Sequence, residues 1–256
     1  MNGAFFIGAA GLRTQEKALD AAANNIANLN TPGYKRAEVR FSELVPPPQP
    51  TVPDGTVLTD PSTLSGVTAV DTSRVFTQGE LRTTGKALDL AIEGEGFIET
   101  MGPGGQEMLW RGGTLKVNAD GFLATAGGVP LKAMIAVPDD TKALSIGRDG
   151  RVFATLDGEA APLEIGRIEL VTVRDPRSLI ILGDSFYRAD IPADLRASEP
   201  GADGAGQLVQ GALEASNVEL TNEMVSLMLL QRAYAANSQV IQASDQLMSI
   251  ANGLKR

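Results

Sequence analysis

The chain has 256 residues, 43% of them hydrophobic, which permits one large domain or two small ones. It carries 22 Lys+Arg against 31 Asp+Glu, a formal charge of −9 with no basic cluster, which argues against nucleic-acid binding. It has no cysteine and no histidine. That removes disulfides, thiolate and Ser-His-Asp catalysis, and Cys- or His-based metal sites.

No apolar run approaches the ~20 residues of a membrane span, so no direct membrane insertion is expected. Lys and Arg are absent before Ala4-Phe5-Phe6-Ile7, and that apolar run is brief, so no cleavable signal is expected either. Residues 4–29 then read as a helix. Phe5, Leu12, Leu19 and Ile26 recur every seven residues, with Gly8, Ala22 and Leu29 beside them. Pro32-Gly33 stops this helix. Asn24, Asn25 and Asn28 are poor interior helix formers. They read either as a fraying helix end or as polar groups that fix the register of a packed seam.

Pro46-Pro47-Pro48, Pro50 and Pro53 follow, and residues 46–75 read as an extended, polyproline-like spacer or as a surface loop. From residue 74 to 189 short apolar runs alternate with glycine and aspartate turns. Residues 88–92 alternate at period two and are closed by Gly94-Glu95-Gly96. Residues 115–117 and 122–125 flank Asn118-Ala119-Asp120-Gly121. Residues 144–146 and 152–155 flank Arg148-Asp149-Gly150 in the same way. Strand, Asp-Gly turn, strand predicts two hairpins. Residues 165–173 and 179–182 add strands, and 197–206 form a polar connector.

Residues 217–252 contain no proline or glycine. Leu220, Leu227, Tyr234, Ile241 and Met248 recur every seven residues, flanked by Met224, Leu230 and Ala251. This is the pattern of a long helix with a narrow apolar seam, as in a coiled coil. Gln231, Asn237 and Ser244 lie on or beside it as polar counterparts of the N-terminal asparagines. The fold class expected is α+β. Long N- and C-terminal helices form a coiled-coil stem, and an antiparallel β domain is inserted between them. The helical core comprises 1–45 and 207–256, the spacer 46–75, and the β domain with its connector 76–206.

Little here suggests chemistry. Glu93 and Glu95, two apart on a strand and near Glu99, raise a carboxylate-dependent glycoside hydrolase, but read more simply as turn charges. Gly94-Glu95-Gly96 lacks the third glycine of a dinucleotide fingerprint. Trp110-Arg111 reads as a cation–π pair, or as an exposed strand residue beside a core aromatic. The sequence is therefore read as a non-enzyme, with no catalytic, metal or cofactor site and no cofactor. A rival class for a β domain on helices is an oligomeric adhesion or binding module.

Three stretches together resemble the flagellar axial proteins, the rod and hook subunits of the bacterial flagellum. The first runs from Ala23-Asn24-Asn25-Ile26-Ala27-Asn28 through Thr31-Pro32-Gly33-Tyr34-Lys35-Arg36. The second is Phe76-Thr77-Gln78-Gly79-Glu80-Leu81, with Thr84-Gly85-Lys86 onward to Gly94-Glu95-Gly96-Phe97. The third is Gly211-Ala212-Leu213-Glu214-Ala215-Ser216-Asn217-Val218, continuing to Gln231-Arg232-Ala233-Tyr234. Length and the extended segment after Val45 resemble a rod member of the distal type, rather than a proximal rod or hook-type subunit. Leu109-Trp110 and Phe97-Ile98 depart from the family's usual residues. The resemblance implies a structural subunit of a hollow helical tube that crosses the periplasm in the basal body. Such a tube transmits torque from motor to hook and conducts exported proteins. The implied partners are further copies of the chain, other rod and hook subunits, the surrounding ring bushing and the flagellar export apparatus.

Overall fold

The computed structural model describes residues 2–43, 67–157, 161–183, 185–190, 194–202 and 204–253. They form two compact units, one of residues 1–27, 37–74 and 219–256, the other of 28–36 and 75–218.

The first unit contains helices α1 (Asn2–Ala27) and α2 (Leu220–Gly253). Both arise where the seven-residue patterns predict them, with ends displaced by a turn or less. Between them lie strands β1 (Ala37–Glu43) and β2 (Val67–Arg74), paired antiparallel with Ala37 opposite Arg74 and Glu43 opposite Val67. β2 falls inside the span expected to be spacer. Its β-branched, alternating sequence gives β1 a partner that a polyproline conformation would not. The proline-rich residues 46–53 lie outside the described residues.

The second unit is all antiparallel β, as the α+β reading requires. Its first strands are β3 (Leu81–Thr83), β4 (Asp89–Glu93), β5 (Phe97–Met101) and β6 (Glu107–Trp110). β7 (Gly112–Val117) and β8 (Leu123–Thr125) form the first expected hairpin, with Leu115 opposite Thr125. β9 (Thr141–Ile146) and β10 (Arg151–Leu156) form the second, with Val152 opposite Ile146. The expected strand at 165–173 is two strands, β11 (Leu163–Arg167) and β12 (Leu170–Val173). β13 (Ile180–Gly183) and β14 (Phe186–Arg188) follow.

The remaining strands correct two boundaries. β15 (Leu195–Ser198) occupies the start of the expected connector, because it pairs with β12. β16 (Gln207–Gln210) and β17 (Ala212–Glu214) pair with β4 and β3, so residues 207–218 belong to this unit and not with the terminal helices.

A six-stranded sheet, ordered β13-β14-β6-β5-β12-β15, carries apolar side chains on both faces. Ile98, Trp110 and Leu170 join one core with Leu90, Ile92, Leu115, Leu123, Ile168 and Leu208. Their chain neighbours Phe97, Leu109 and Val171 point the other way and join a second core with Leu179 and Tyr187. This is the period-two alternation of a strand covered on both sides. Alternation at period two in residues 88–92 describes a strand buried on one face. Instead Asp89, Leu90, Ala91 and Ile92 are all buried, because β4 lies between β16 and β7 in a four-stranded sheet. Asp89 is accommodated by accepting hydrogen bonds from the Thr84 and Thr114 hydroxyls at 2.6 and 2.7 Å.

Candidate functional site

In the first unit α1 and α2 pack antiparallel. A methyl added at Gly8 would come within 2.9 Å of Ile241 Cγ1, and one at Gly11 within 3.1 Å of Asn237 Nδ2. Asn25 meets Glu223 at the other end of the pair. Among its described side chains, α1 buries Thr14, Ala18, Ala22 and Asn25. Leu12, Leu19 and Ile26 stand beside this face and are half-buried. On α2, Leu227 and Ile241 are half-buried, whereas Leu220 and Tyr234 are 42% and 41% exposed. The side chains of Phe5 and Met248 lie outside the described ones.

The polar positions divide as well. Asn25 is buried, and its carboxamide donates to Ala37 O (2.9 Å) and Glu223 Oε2 (3.2 Å) and accepts from Ala37 N (2.7 Å). It therefore joins α1, β1 and α2. Asn24 is exposed, and Asn28 accepts from the Thr31 hydroxyl at 3.2 Å. Asn237 and Ser244 are half-buried, Ser244 donating to Val240 O, while Gln231 is exposed.

The second unit holds a buried charge cluster that the sequence reading did not single out. Glu214, at the end of β17, accepts from Lys35 Nζ (2.6 Å) and Gly79 N (2.8 Å) through Oε1, and from Arg111 Nε (2.9 Å) through Oε2. All three charged side chains are at most 5% exposed. Lys35 also donates to Thr77 O at 2.9 Å. The Arg111 guanidinium donates to the carbonyls of Gly94 and Gly96. These glycines have φ of +109° and +133°, a conformation that aims their carbonyls at Arg111 and that other residues rarely adopt. Arg111 lies over Phe97, 5.8 Å from the ring centroid, and not over Trp110; both Trp110 and Arg111 are buried. Phe97 in turn packs edge-on with Phe76 and Tyr187.

Burial pushes the Lys35 ammonium below its ordinary value, and Arg111 adds to this while Glu214 opposes it. Three residues on from Glu214, Asn217 accepts from Arg36 N (2.7 Å) and donates to Val75 O (2.7 Å) and Thr77 O (3.0 Å). Gly33 N donates to Glu214 O at 2.7 Å. Residues 33–36, 75–79 and 214–217 are thus tied side by side, and these are the segments through which the chain enters and leaves the second unit. All but Val75 lie within the quoted motifs. Their only advance signal was charge and amide groups set among glycines.

The carboxylates weighed for hydrolysis do not converge. Glu93 and Glu95 are exposed, while Glu99 pairs with Lys132, which also bonds Glu107 at 2.8 Å.

Three family models match the chain. Residues 7–35 match the flagella basal body rod protein, 91–154 the flagellar hook protein FlgE/F/G D1 domain, and 209–254 the flagellar basal body rod FlgEFG protein C-terminal. The flagellar basal-body rod protein FlgG of Borreliella burgdorferi is 34% identical, over 99% of this chain and 98% of its own. FlgG of Bacillus subtilis is 31% identical over 98% of both chains. The chain belongs to the flagellar basal-body rod family. Like other members of this rod family, it is a structural subunit of the basal body, whose rod spans the periplasm, and FlgG is the distal rod protein. FlgF of Caulobacter vibrioides is also similar, 32% identical over 96% of this chain and 95% of its own. Lys35 and Glu214 fall inside or beside the two terminal rod-family matches, and Arg111 inside the D1-domain match, so the cluster joins parts of the chain matched by three separate models.

Proposed function

We propose that the chain polymerises through its terminal helices into a hollow rod of the distal type that carries torque toward the hook and leaves a bore for exported proteins. The observation that carries this reading is the uncovered apolar surface of α2. Leu220, Met224, Val225, Met228, Leu229, Val240, Leu247 and Ile250 are between 42% and 61% exposed. A 34-residue helix with that much apolar surface in water needs further protein to cover it. Two seams follow. Leu227 and Ile241 face α1 of the same chain, together with Asn25 and Asn237 as register-setting polar groups. Leu220 and Tyr234 turn outward to neighbouring copies in a coiled-coil stem. Phe5, Leu12, Leu19, Ile26 and Met248 complete the apolar set. Asn24, Asn28, Gln231 and Ser244 are the remaining polar positions, set for register or for the wall of a wet channel.

Other rod proteins and hook subunits are the end-to-end neighbours, the ring bushing is the outer one, and export proceeds through the flagellar apparatus without signal cleavage. Assembly orders the terminal helices further. The test is electron microscopy of the concentrated protein beside circular dichroism of the monomer. Straight tubes with more helix than the monomer are expected, and Leu229→Asp should abolish them while leaving the β unit folded. A closed oligomer, or tubes unaffected by Leu229→Asp, would overturn the reading.

A further inference from the structure

With no cysteine to react first, an oxidant meets the thioethers of the chain's seven methionines. Where each sulfur sits decides what its oxidation does. Met108 is buried. Met101 and Met134 are exposed on the second unit and belong to neither of its cores. Met224 and Met228 are 46% and 53% exposed, and both lie on α2. Four residues apart in a helix, they stand one above the other on a single face. The side chains of Met1 and Met248 lie outside the described ones.

The stretch around the α2 pair is nearly free of charge. From Met224 to Ser244 the only charged residue is Arg232. Val225 and Leu229, the chain neighbours of the two methionines, are exposed aliphatics. Glu223 is buried on the inner side, where Asn25 donates to it. Met224 and Met228 therefore sit on the uncovered side of the helix. As thioethers they are soft apolar groups that mould to a partner surface. As sulfoxides each carries a strongly polar oxygen, which an aliphatic partner surface cannot meet with a donor. Burying such an oxygen unpaired is costly.

We propose that Met224 and Met228 are an oxidant-sensitive modification site: a peroxide converts both to sulfoxides in the free chain, and the modified chain no longer enters the tube. The proposal rests on polymerisation through α2 and adds a chemical condition for it. In the step, a sulfur lone pair attacks one oxygen of hydrogen peroxide and the O–O bond breaks. An S–O bond forms, and the sulfur is oxidised by two electrons. The proton on the transferred oxygen passes to the departing hydroxide, giving water. Assembly ends the sensitivity, because a covering neighbour shields both sulfurs. The modification is reversible: methionine sulfoxide reductases, one for each epimer at sulfur, return the thioether.

The test uses the full chain and hydrogen peroxide. Free chains are oxidised, the sites are located by peptide mass spectrometry, and the concentration needed for tubes is measured by sedimentation and electron microscopy. One added oxygen on each of Met224 and Met228 is expected, with recovery of assembly after both reductases. The critical concentration should rise by about tenfold or more. The double variant Met224→Leu/Met228→Leu keeps the apolar surface, and the same treatment should change its critical concentration by less than about twofold. The thermal transition read by Trp110, buried in the second unit, should be unaffected by peroxide in both chains. In tubes assembled before treatment the two sulfurs should stay unmodified, a measurement that needs no substitution. Normal assembly of chains carrying both sulfoxides would overturn the proposal, as would equal sensitivity of the double variant. Sulfoxides formed at both sites inside intact tubes would also overturn it, by showing a face that neighbours leave open. Each of these results leaves the rod reading standing. Absence of tubes from the untreated, unsubstituted chain would remove both.

Discussion

Replacing Glu214 by glutamine removes the one negative charge of the Lys35–Glu214–Arg111 cluster while keeping its shape. The two cations left behind are 1% and 5% exposed, so water does not replace the lost partner. Breaking a buried ion pair by removing one member costs about 3–5 kcal/mol. The retained contacts of Lys35 to Thr77 O and of Arg111 to the Gly94 and Gly96 carbonyls place the expected loss near the lower end, about 3 kcal/mol. For a domain of this size that is a fall in melting temperature of roughly 6–12 °C. The chain has one tryptophan, Trp110, buried in the second unit next to Arg111, so its fluorescence reports the unfolding of that unit. The charge count adds a sharper test. Lys35→Met leaves one cation and one anion and relieves the burial of an ammonium, so it should cost less than Glu214→Gln. A shift below about 2 °C for Glu214→Gln, or a larger shift for Lys35→Met, would refute this account of the cluster.

The depressed Lys35 titration has a definite sign. Between its lowered folded value and the ordinary 10.5, the unfolded chain holds a proton that the folded chain has released. Stability from this group therefore rises with pH through that window, and the rise should vanish in Lys35→Met when urea unfolding is compared across alkaline pH. Asn25→Ala orphans the Ala37 amide and one bond to the buried Glu223, and should cost about 2–3 kcal/mol with loss of helical circular dichroism. Gly79→Ala places a methyl 2.0 Å from the Ala215 carbonyl oxygen, a backbone atom that cannot rotate away. It should destabilise the second unit by about 3 kcal/mol or more, read by the same tryptophan transition.

The parts of the fold visible in the sequence are those with short-range signatures. The two helices follow from seven-residue repeats, and the β7–β8 and β9–β10 hairpins from Asn-Ala-Asp-Gly and Arg-Asp-Gly turns. What the repeats do not reveal is which face each helix uses. Phe5, Leu12, Leu19 and Ile26 are the most apolar series, yet α2 comes closest at Gly8 and Gly11, because a residue without a side chain permits the closest approach. The period-two pattern at β4 hid a strand buried on both sides, since Asp89 finds its partners in Thr84 and Thr114 and not in solvent. The charge cluster was the least legible part. Lys35 and Glu214 are separated by 179 residues, and charged side chains in isolation read as solvated. Only the topology that brings β3, β17 and the segment after α1 together turns them into a core.

That topology bears on how the second unit would carry load. Residues 214–217 lead directly toward α2, and they are fastened to two other segments at once: to 33–36 through Lys35, Gly33 and Arg36, and to 75–79 through Val75, Thr77 and Gly79. A pull along α2 reaching Asn217 is shared among these bonds in parallel, so no single one must break first for the others to be tested. Such an arrangement resists tension as a lap joint does, by shear over an area, where a hairpin pulled at its ends opens like a zip.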